Sequence, residues 1–304
     1  MSNFGPDMGK MTTFRAWIEA MRLRTLPVSV AGIITAVGYN FINDNVNWTP
    51  AVICLVFAVL AQIASNFANE YYDYTAGRDR AGREGPRRGV TEGDITPRAM
   101  LRAVGVTLGL AACAGLSLVG WGGWWLIAVG AAVAVGVFMY STGPYPLSTH
   151  GLGEVAVIFF FGLIPVNLTY YVETLQWSWA VAAGGLAIGL LGANVLIVNN
   201  YRDADDDRAV GKRTLAVKFG SGAMPRLYAV NAAAAMALML PQWLWLGGAW
   251  WTVPALVLAA SCAVARAMTR RRGASLTPLL GLTSVLMCVY SLIFAVAAYV
   301  TTCQ

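Results

Sequence analysis

The chain has 304 residues, of which 58% are hydrophobic and only 12% charged, with a formal net charge of +6, and its mean hydropathy is +0.60. Such a composition lies outside the range of soluble domains and describes a protein built for the bilayer. The basic residues sit between apolar runs and form no separate basic domain, so a nucleic-acid-binding protein has no support.

The first 24 residues carry no apolar h-region and no small-residue cleavage site, which argues against a removable signal peptide. Phe14, Trp17, Ile18 and Met21 recur at helical spacing while Arg15, Glu19 and Arg22 point elsewhere, so residues 1–24 read as a cytoplasmic segment with a short interfacial helix. From residue 25 to 304 the chain reads as one transmembrane domain. A span needs about 20 helical residues to cross about 30 Å of hydrocarbon. Runs of that order occur at 25–42, 50–71, 98–119, 124–141, 153–172, 178–200, 224–246, 250–266 and 276–300. The expected fold class is therefore all-α, a polytopic membrane protein of nine transmembrane helices.

Basic residues mark cytoplasmic loops. All 21 lie on one side of this topology: before the first span (Lys10, Arg15, Arg22, Arg24), around the second loop (Arg78 to Arg102), around the sixth (Arg202 to Arg226) and around the eighth (Arg266 to Arg272). An odd number of spans then puts the N-terminus in the cytoplasm and the C-terminus outside, as for a multi-pass protein of a bacterial inner membrane. Cys54, Cys113, Cys262, Cys288 and Cys303 show no CxxC spacing, which fits packing better than metal or redox chemistry.

Two short stretches nearly repeat: Asn69-Glu70-Tyr71-Tyr72-Asp73 and Asn199-Asn200-Tyr201-Arg202-Asp203, followed by Asp79 and Asp207. Residues four apart share a helix face, so Asn69 with Asp73, and Asn199 with Asp203 and Asp207, each project in one direction from the cytoplasmic ends of spans two and six. Asp79, beyond Gly77, belongs to a loop that folds back. Four carboxylates brought together repel, each pair by roughly 4 kcal/mol at 4 Å and an effective dielectric near 20, and divalent cations would relieve that cost. The donors are all oxygen, which favours Mg²⁺ or Mn²⁺ over zinc, and Mg²⁺ completes its coordination with water and substrate phosphate. Gly85-Pro86-Arg87-Arg88-Gly89 and Gly211-Lys212-Arg213-Thr214 add phosphate-binding chemistry, with Arg88 and Lys212 the leading candidates.

Spans one to four and five to eight read as two copies of a four-helix unit with the ninth helix added, enclosing a central cavity that opens toward the cytoplasm. A third segment, Tyr140 to Leu147 followed by His150 to Glu154, joins spans four and five. It is turn-rich and lacks Lys and Arg. Its tyrosines and the single His could line an aromatic-binding mouth, or anchor an interfacial turn.

These stretches resemble the UbiA superfamily of intramembrane aromatic prenyltransferases, whose hallmark is a pair of Asp-rich motifs on helices two and six of nine. The carrying stretches are Arg24-Thr25-Leu26-Pro27, Gln62 to Tyr71, the Gly-Pro-Arg-Arg-Gly loop, Tyr140 to Glu154 and Asn199 to Leu215. The six-residue step from Asp73 to Asp79 departs from the four of many members and resembles the branch that prenylates 1,4-dihydroxy-2-naphthoate in menaquinone biosynthesis. The resemblance implies that two Mg²⁺, held by Asn69, Asp73 and Asp79 and by Asn199, Asp203 and Asp207, clamp the diphosphate of a polyprenyl diphosphate with help from Lys212 and Arg88. An aromatic acid is then prenylated with loss of carbon dioxide to give demethylmenaquinol. Arg24 is the expected partner of the acid's carboxylate, with Tyr140 and His150 near the acceptor. Other acceptors of the superfamily, 4-hydroxybenzoate, homogentisate or haem, remain as alternatives. A secondary transporter fits less well, since its polar groups would sit near the bilayer midplane. Tail length, ring-deprotonating base and oligomeric state are not legible in the sequence.

Overall fold

A computed structural model describes residues 13–43, 46–81, 86–220 and 222–302. Lys10, Arg83, Gly85 and Cys303 lie outside those residues. The described chain is all-helical. α1 (Thr13–Met21) is the short amphipathic helix expected before the first span. α2 (Leu26–Ile42), α3 (Trp48–Thr75), α4 (Pro97–Ser117), α5 (Leu126–Ser141), α6 (Gly153–Thr174), α7 (Trp179–Arg202), α8 (Ala223–Trp245), α9 (Thr252–Arg270) and α10 (Thr277–Thr302) follow the nine apolar runs.

Local chemistry fixes several of the starts. Asn47 Oδ1 accepts from Thr49 N at 3.2 Å to cap α3, and Thr96 Oγ1 accepts from Ala99 N at 3.2 Å to cap α4, each satisfying an orphan amide of the first turn. Pro27 and Pro97 occupy first-turn positions, where proline costs nothing. The count of nine spans needs qualification. Eight helical stretches are long and apolar enough to cross a membrane, while α5 is a shorter apolar helix of 16 residues. At 1.5 Å per residue it reaches about 24 Å, because the predicted start at Trp124 is a turn and not helix.

Between helices in lipid, association relies on close packing more than on the hydrophobic effect. α6 and α7 show how the sequence arranges this: a Cβ at Gly162 would stand 2.4 Å from Gly185 O and from Gly189 Cα. Only glycine allows that approach, and there α6 widens into a π-helical stretch, Ile158–Leu163. α2 packs along α10, with Thr35 Oγ1 donating to Ser291 Oγ at 3.0 Å and the Tyr39 and Phe294 rings 5.0 Å apart. α3 packs on α4 and α7 on α8, the same pairing in each half, as two copies of one unit require.

Candidate active site

α3 carries Asn66, Asn69 and Asp73 on one face, all buried. It stops after Thr75 because Gly77 turns left-handed at φ 65, with Arg78 N donating to Asp73 O at 2.8 Å and Gly77 N to Tyr74 O at 3.0 Å. That pair of bonds is a Schellman cap. It throws Arg78 back over the motif, where Nε donates to Asp73 Oδ1 at 3.0 Å and Nη2 to Ser141 O at 2.6 Å.

The second motif ends the same way. α7 closes at Arg202, Asp203 is its cap, and the chain resumes as the short helix Ala204–Ala209. Asp207 N donates to Asp203 O at 2.8 Å, so the i to i+4 bond crosses the break and Asn199, Asp203 and Asp207 keep a common face. Gly211, at φ 76, then returns Lys212, whose N donates to Asp207 O at 2.9 Å. The Lys212 ammonium donates to Asp73 Oδ2 at 3.0 Å and lies 3.7 Å from Asp207 Oδ1. One cation thus ties the first motif to the second. Arg202 binds within its own motif, Nε to Asp203 Oδ1 at 2.7 Å and Nη2 to Asn199 Oδ1 at 2.9 Å.

Arg22 and Arg88 complete the polar end. Arg22 is one of two described non-glycine residues at positive φ, 52°, a conformation costing roughly 1 kcal/mol or more. From there its Nη2 donates to Asn69 Oδ1 at 2.6 Å. Arg88 is buried, its Nε 3.6 Å from Asp79 Oδ2, and its Nη1 has no hydrogen-bond partner among the described residues. A buried guanidinium donor left unmatched is costly and marks the place where an anionic oxygen would be welcome.

These groups face one cavity of about 250 Å³, whose polar end includes Arg22, Asn69, Asp73, Arg88, Tyr140, Asn199, Asp203, Asp207 and Lys212. Its other arm is apolar, lined on α3 from Ala61 back to Cys54, and ends against Leu118, Leu126 and Val172. At 1.5 Å per helical residue the cavity extends about 28 Å along α3 from Asp73 to Cys54.

Beside the divalent cations expected to offset their repulsion, the carboxylates have protein cations as partners, a pairing that the sequence reading did not include. Asp73 is met by Arg78 and Lys212, Asp79 by Arg88, Asp203 by Arg202 and Asp207 by Lys212. No group of three or more His, Cys, Asp or Glu close enough to hold a metal is found among the described residues. The donors facing the cavity are nonetheless all hard oxygens on Asn and Asp, the set that suits Mg²⁺ bound by one or two carboxylates with water and phosphate completing the octahedron. The site therefore fits a metal that arrives with a diphosphate, and not a preformed all-protein cage.

Residues 25–278 match the UbiA prenyltransferase family. A 1,4-dihydroxy-2-naphthoate octaprenyltransferase of Mycobacterium tuberculosis is 37% identical over 291 residues, covering 94% of this chain and 97% of the relative. The chain belongs to the UbiA prenyltransferase family. It is a multi-pass membrane prenyltransferase. A relative of the same name from Escherichia coli is 35% identical over 212 residues, 68% of this chain and 69% of that one. A solved UbiA homolog from Archaeoglobus fulgidus bound to GPP and Mg²⁺ shares the fold at a TM-score of 0.66 with 15% identity, covering 92% of this chain and 99% of that one.

Within this UbiA fold the predicted residues are partly brought together. Asn69, Asp73, Asn199, Asp203, Asp207, Arg88, Lys212 and Tyr140 line the cavity. Asp79 does not; it stands behind Arg88 in a folded-back loop, as its place beyond Gly77 implies. Arg24 is exposed and outside the cavity lining, while Arg22, with its left-handed backbone, is inside it. His150 is also outside the lining. Its ring stacks on Tyr145 with centroids 3.7 Å apart, its Nδ1 lies 2.8 Å from Pro146 O, and its carbonyl accepts from Lys218 Nζ. Sequence reasoning missed Arg22, Arg78 and Arg202, whose charges it assigned to membrane orientation alone. A signal existed: Asp73 and Asp207 are each followed by Gly four residues on and by a base at the fifth, Arg78 and Lys212.

Proposed function

We propose that the protein transfers a polyprenyl group from a polyprenyl diphosphate to 1,4-dihydroxy-2-naphthoate, with loss of carbon dioxide, giving demethylmenaquinol. The observation that carries the reading is Lys212 bridging Asp73 and Asp207 at the head of a long apolar arm, a geometry matched to a diphosphate with an isoprenoid tail. The relatives' names support the naphthoate acceptor, and the GPP and Mg²⁺ bound by the archaeal homolog support the donor and the metal.

Asn69, Asp73, Asn199, Asp203 and Asp207 would hold Mg²⁺, with Asp79 supporting from behind Arg88. When bound, Mg²⁺ neutralises charge on the diphosphate and improves it as a leaving group. Lys212, Arg88 and Arg22 bind the diphosphate oxygens and the charge that grows on them as the allylic carbon–oxygen bond breaks. The apolar arm holds the tail extended and keeps water from the allylic cation. An electron-rich ring carbon of the acceptor then forms the new carbon–carbon bond, and Tyr140, at the edge of the polar end, borders the acceptor. Mn²⁺ meets the same oxygen donors.

The one-sided distribution of Lys and Arg supports a cytoplasmic catalytic face, and the bacterial sources of the relatives support a bacterial inner membrane. Incubating the purified protein with one labelled polyprenyl diphosphate and a panel of aromatic acids tests the reading. Prenylated naphthoate and carbon dioxide should appear in equal amounts. Turnover of 4-hydroxybenzoate with none of dihydroxynaphthoate would refute the acceptor.

A further inference from the structure

The residue after each motif asparagine has no part in the chemistry above, yet both are buried and both tie the motif to another segment. Asn200 Nδ2 donates to Glu154 Oε1 at 2.9 Å, holding the start of α6. Its counterpart Glu70 is 1% exposed, and Oε1 accepts from Val90 N at 3.0 Å, with a further bond from Gly89 N. A Cβ at Gly89 would stand in van der Waals contact with Glu70 Oε1, at 3.5 Å, and too close to Ile95 Cδ1, at 2.9 Å, so the turn leaves no room for a side chain there.

The loop held there is the one that carries Arg88. It is a built turn: Glu92 N donates to Arg88 O and Ile95 N to Gly89 O, both at 2.9 Å, and Arg87 Nε donates to Asp94 Oδ2 at 2.7 Å. Val90 and Ile95 are 3% exposed and pack with Phe67 of α3 and Met100 of α4. Packing fixes the far side of the turn, and the Gly89 and Val90 amides, just past Arg88, are tied to α3 through Glu70. We infer that Glu70 is a positioning residue that docks this loop on α3 and so aims the Arg88 guanidinium at the substrate diphosphate. Glu70 touches no substrate and acts through Arg88.

The inference rests on the diphosphate reading of the site, and the experiment separates the two. Steady-state constants for donor and acceptor, and protection of the purified protein by Mg²⁺ with inorganic diphosphate in a thermal-shift assay, are measured for wild type, Arg88→Ala, Glu70→Ala, Glu70→Gln and the Arg88→Ala/Glu70→Ala pair. Losing a charge-assisted hydrogen bond from Arg88 should raise the donor KM about 10- to 100-fold. Glu70→Ala should raise it to a similar extent, leave the acceptor KM within about threefold, and add little in the double variant, since residues acting in one unit are non-additive. Glu70→Gln keeps an acceptor oxygen and should stay near wild type, which also guards against a folding failure of Glu70→Ala. If Arg88→Ala leaves donor KM and diphosphate protection unchanged, the diphosphate reading at Arg88 fails. If Arg88→Ala weakens both while Glu70→Ala does not, or if the two losses multiply, the role given to Glu70 is overturned.

Discussion

Lys212 and Asp73, 139 residues apart, are joined by a 3.0 Å hydrogen bond at the head of the cavity. The ammonium reaches across because a glycine-capped helix end returns it, and Arg78 reaches the other oxygen of Asp73 from an identical cap in the first half. Asp73 thus lies between two cations supplied by the two repeats. Removing Lys212 leaves a buried carboxylate with one partner fewer and the leaving diphosphate without a donor. Lys212→Ala should lower kcat about 10²- to 10³-fold, the cost of one preorganised charge-stabilising donor, and Lys212→Arg should recover part of it. A kcat within threefold of wild type for Lys212→Ala would remove the residue from the chemistry.

The metal assignment is tested at the carboxylates themselves. Asp73→Ala and Asp203→Ala should each abolish transfer at saturating Mg²⁺ while the variants still insert in membranes and purify as monodisperse protein. Near-normal turnover of Asp73→Ala would sink it. Because each carboxylate already has a cation partner, the apo protein should tolerate chelators with little change in Tm; a large loss of stability on chelation would instead reveal a metal held without substrate.

Arg22 and Arg24 separate two readings of the entry to α2. Arg22 binds Asn69 from a left-handed backbone, whereas Arg24 is exposed. Arg22→Ala should reduce kcat/KM by about 10- to 100-fold, the range for a lost charged hydrogen bond, and Arg24→Ala by less than about threefold. The reverse order would show that the carboxylate of the aromatic acid is met at Arg24 after all.

Spans, their polar ends and the two Asn/Asp faces were legible in the sequence because each depends on local periodicity: 3.6-residue stacking puts Asn69 over Asp73, and Asp79 had to fold back once Gly77 was seen. What pairs with what was not legible. Arg22 looks like a topology charge until a positive φ turns it inward, and Arg24 looks better placed only if the helix is assumed continuous. His150 sits in an aromatic, turn-rich segment, yet a stacking contact with Tyr145 and the carbonyl of Pro146 use its ring elsewhere. α5 was overextended because Trp124 and Trp125 count as apolar in a hydropathy run but end the helix in a turn. The charge pairing among motifs depends on tertiary approach, and no spacing rule reports it.

Topology makes a prediction of its own. In a background free of Cys54, Cys113, Cys262, Cys288 and Cys303, a cysteine at Ala81, exposed just past the first motif, should resist an impermeant thiol reagent in sealed right-side-out vesicles. One at Gln176, exposed in the turn between α6 and α7, should label readily. Labelling at Ala81 with protection at Gln176 would invert the orientation.

The apolar arm sets how much of a tail the protein can grip. An isoprene unit with four chain bonds extends about 5 Å, so the roughly 28 Å from Asp73 to the end of the arm at Cys54 accommodates roughly six units, and the rest of a longer tail must leave toward lipid. Donor KM should therefore fall as units are added up to about six and then level off, each unit adding buried apolar surface until the arm is full. Ala61 lines the arm on α3 between Asp73 and Cys54, about 18 Å from the carboxylate by helical rise. A bulky side chain there should block the distal third: Ala61→Trp should leave turnover of geranyl diphosphate, with two units, nearly unchanged and raise KM at least tenfold for an eight-unit donor. The comparison is internal to one variant, so loss of folded protein cannot imitate it. Equal losses for both donors would place the tail somewhere other than this arm.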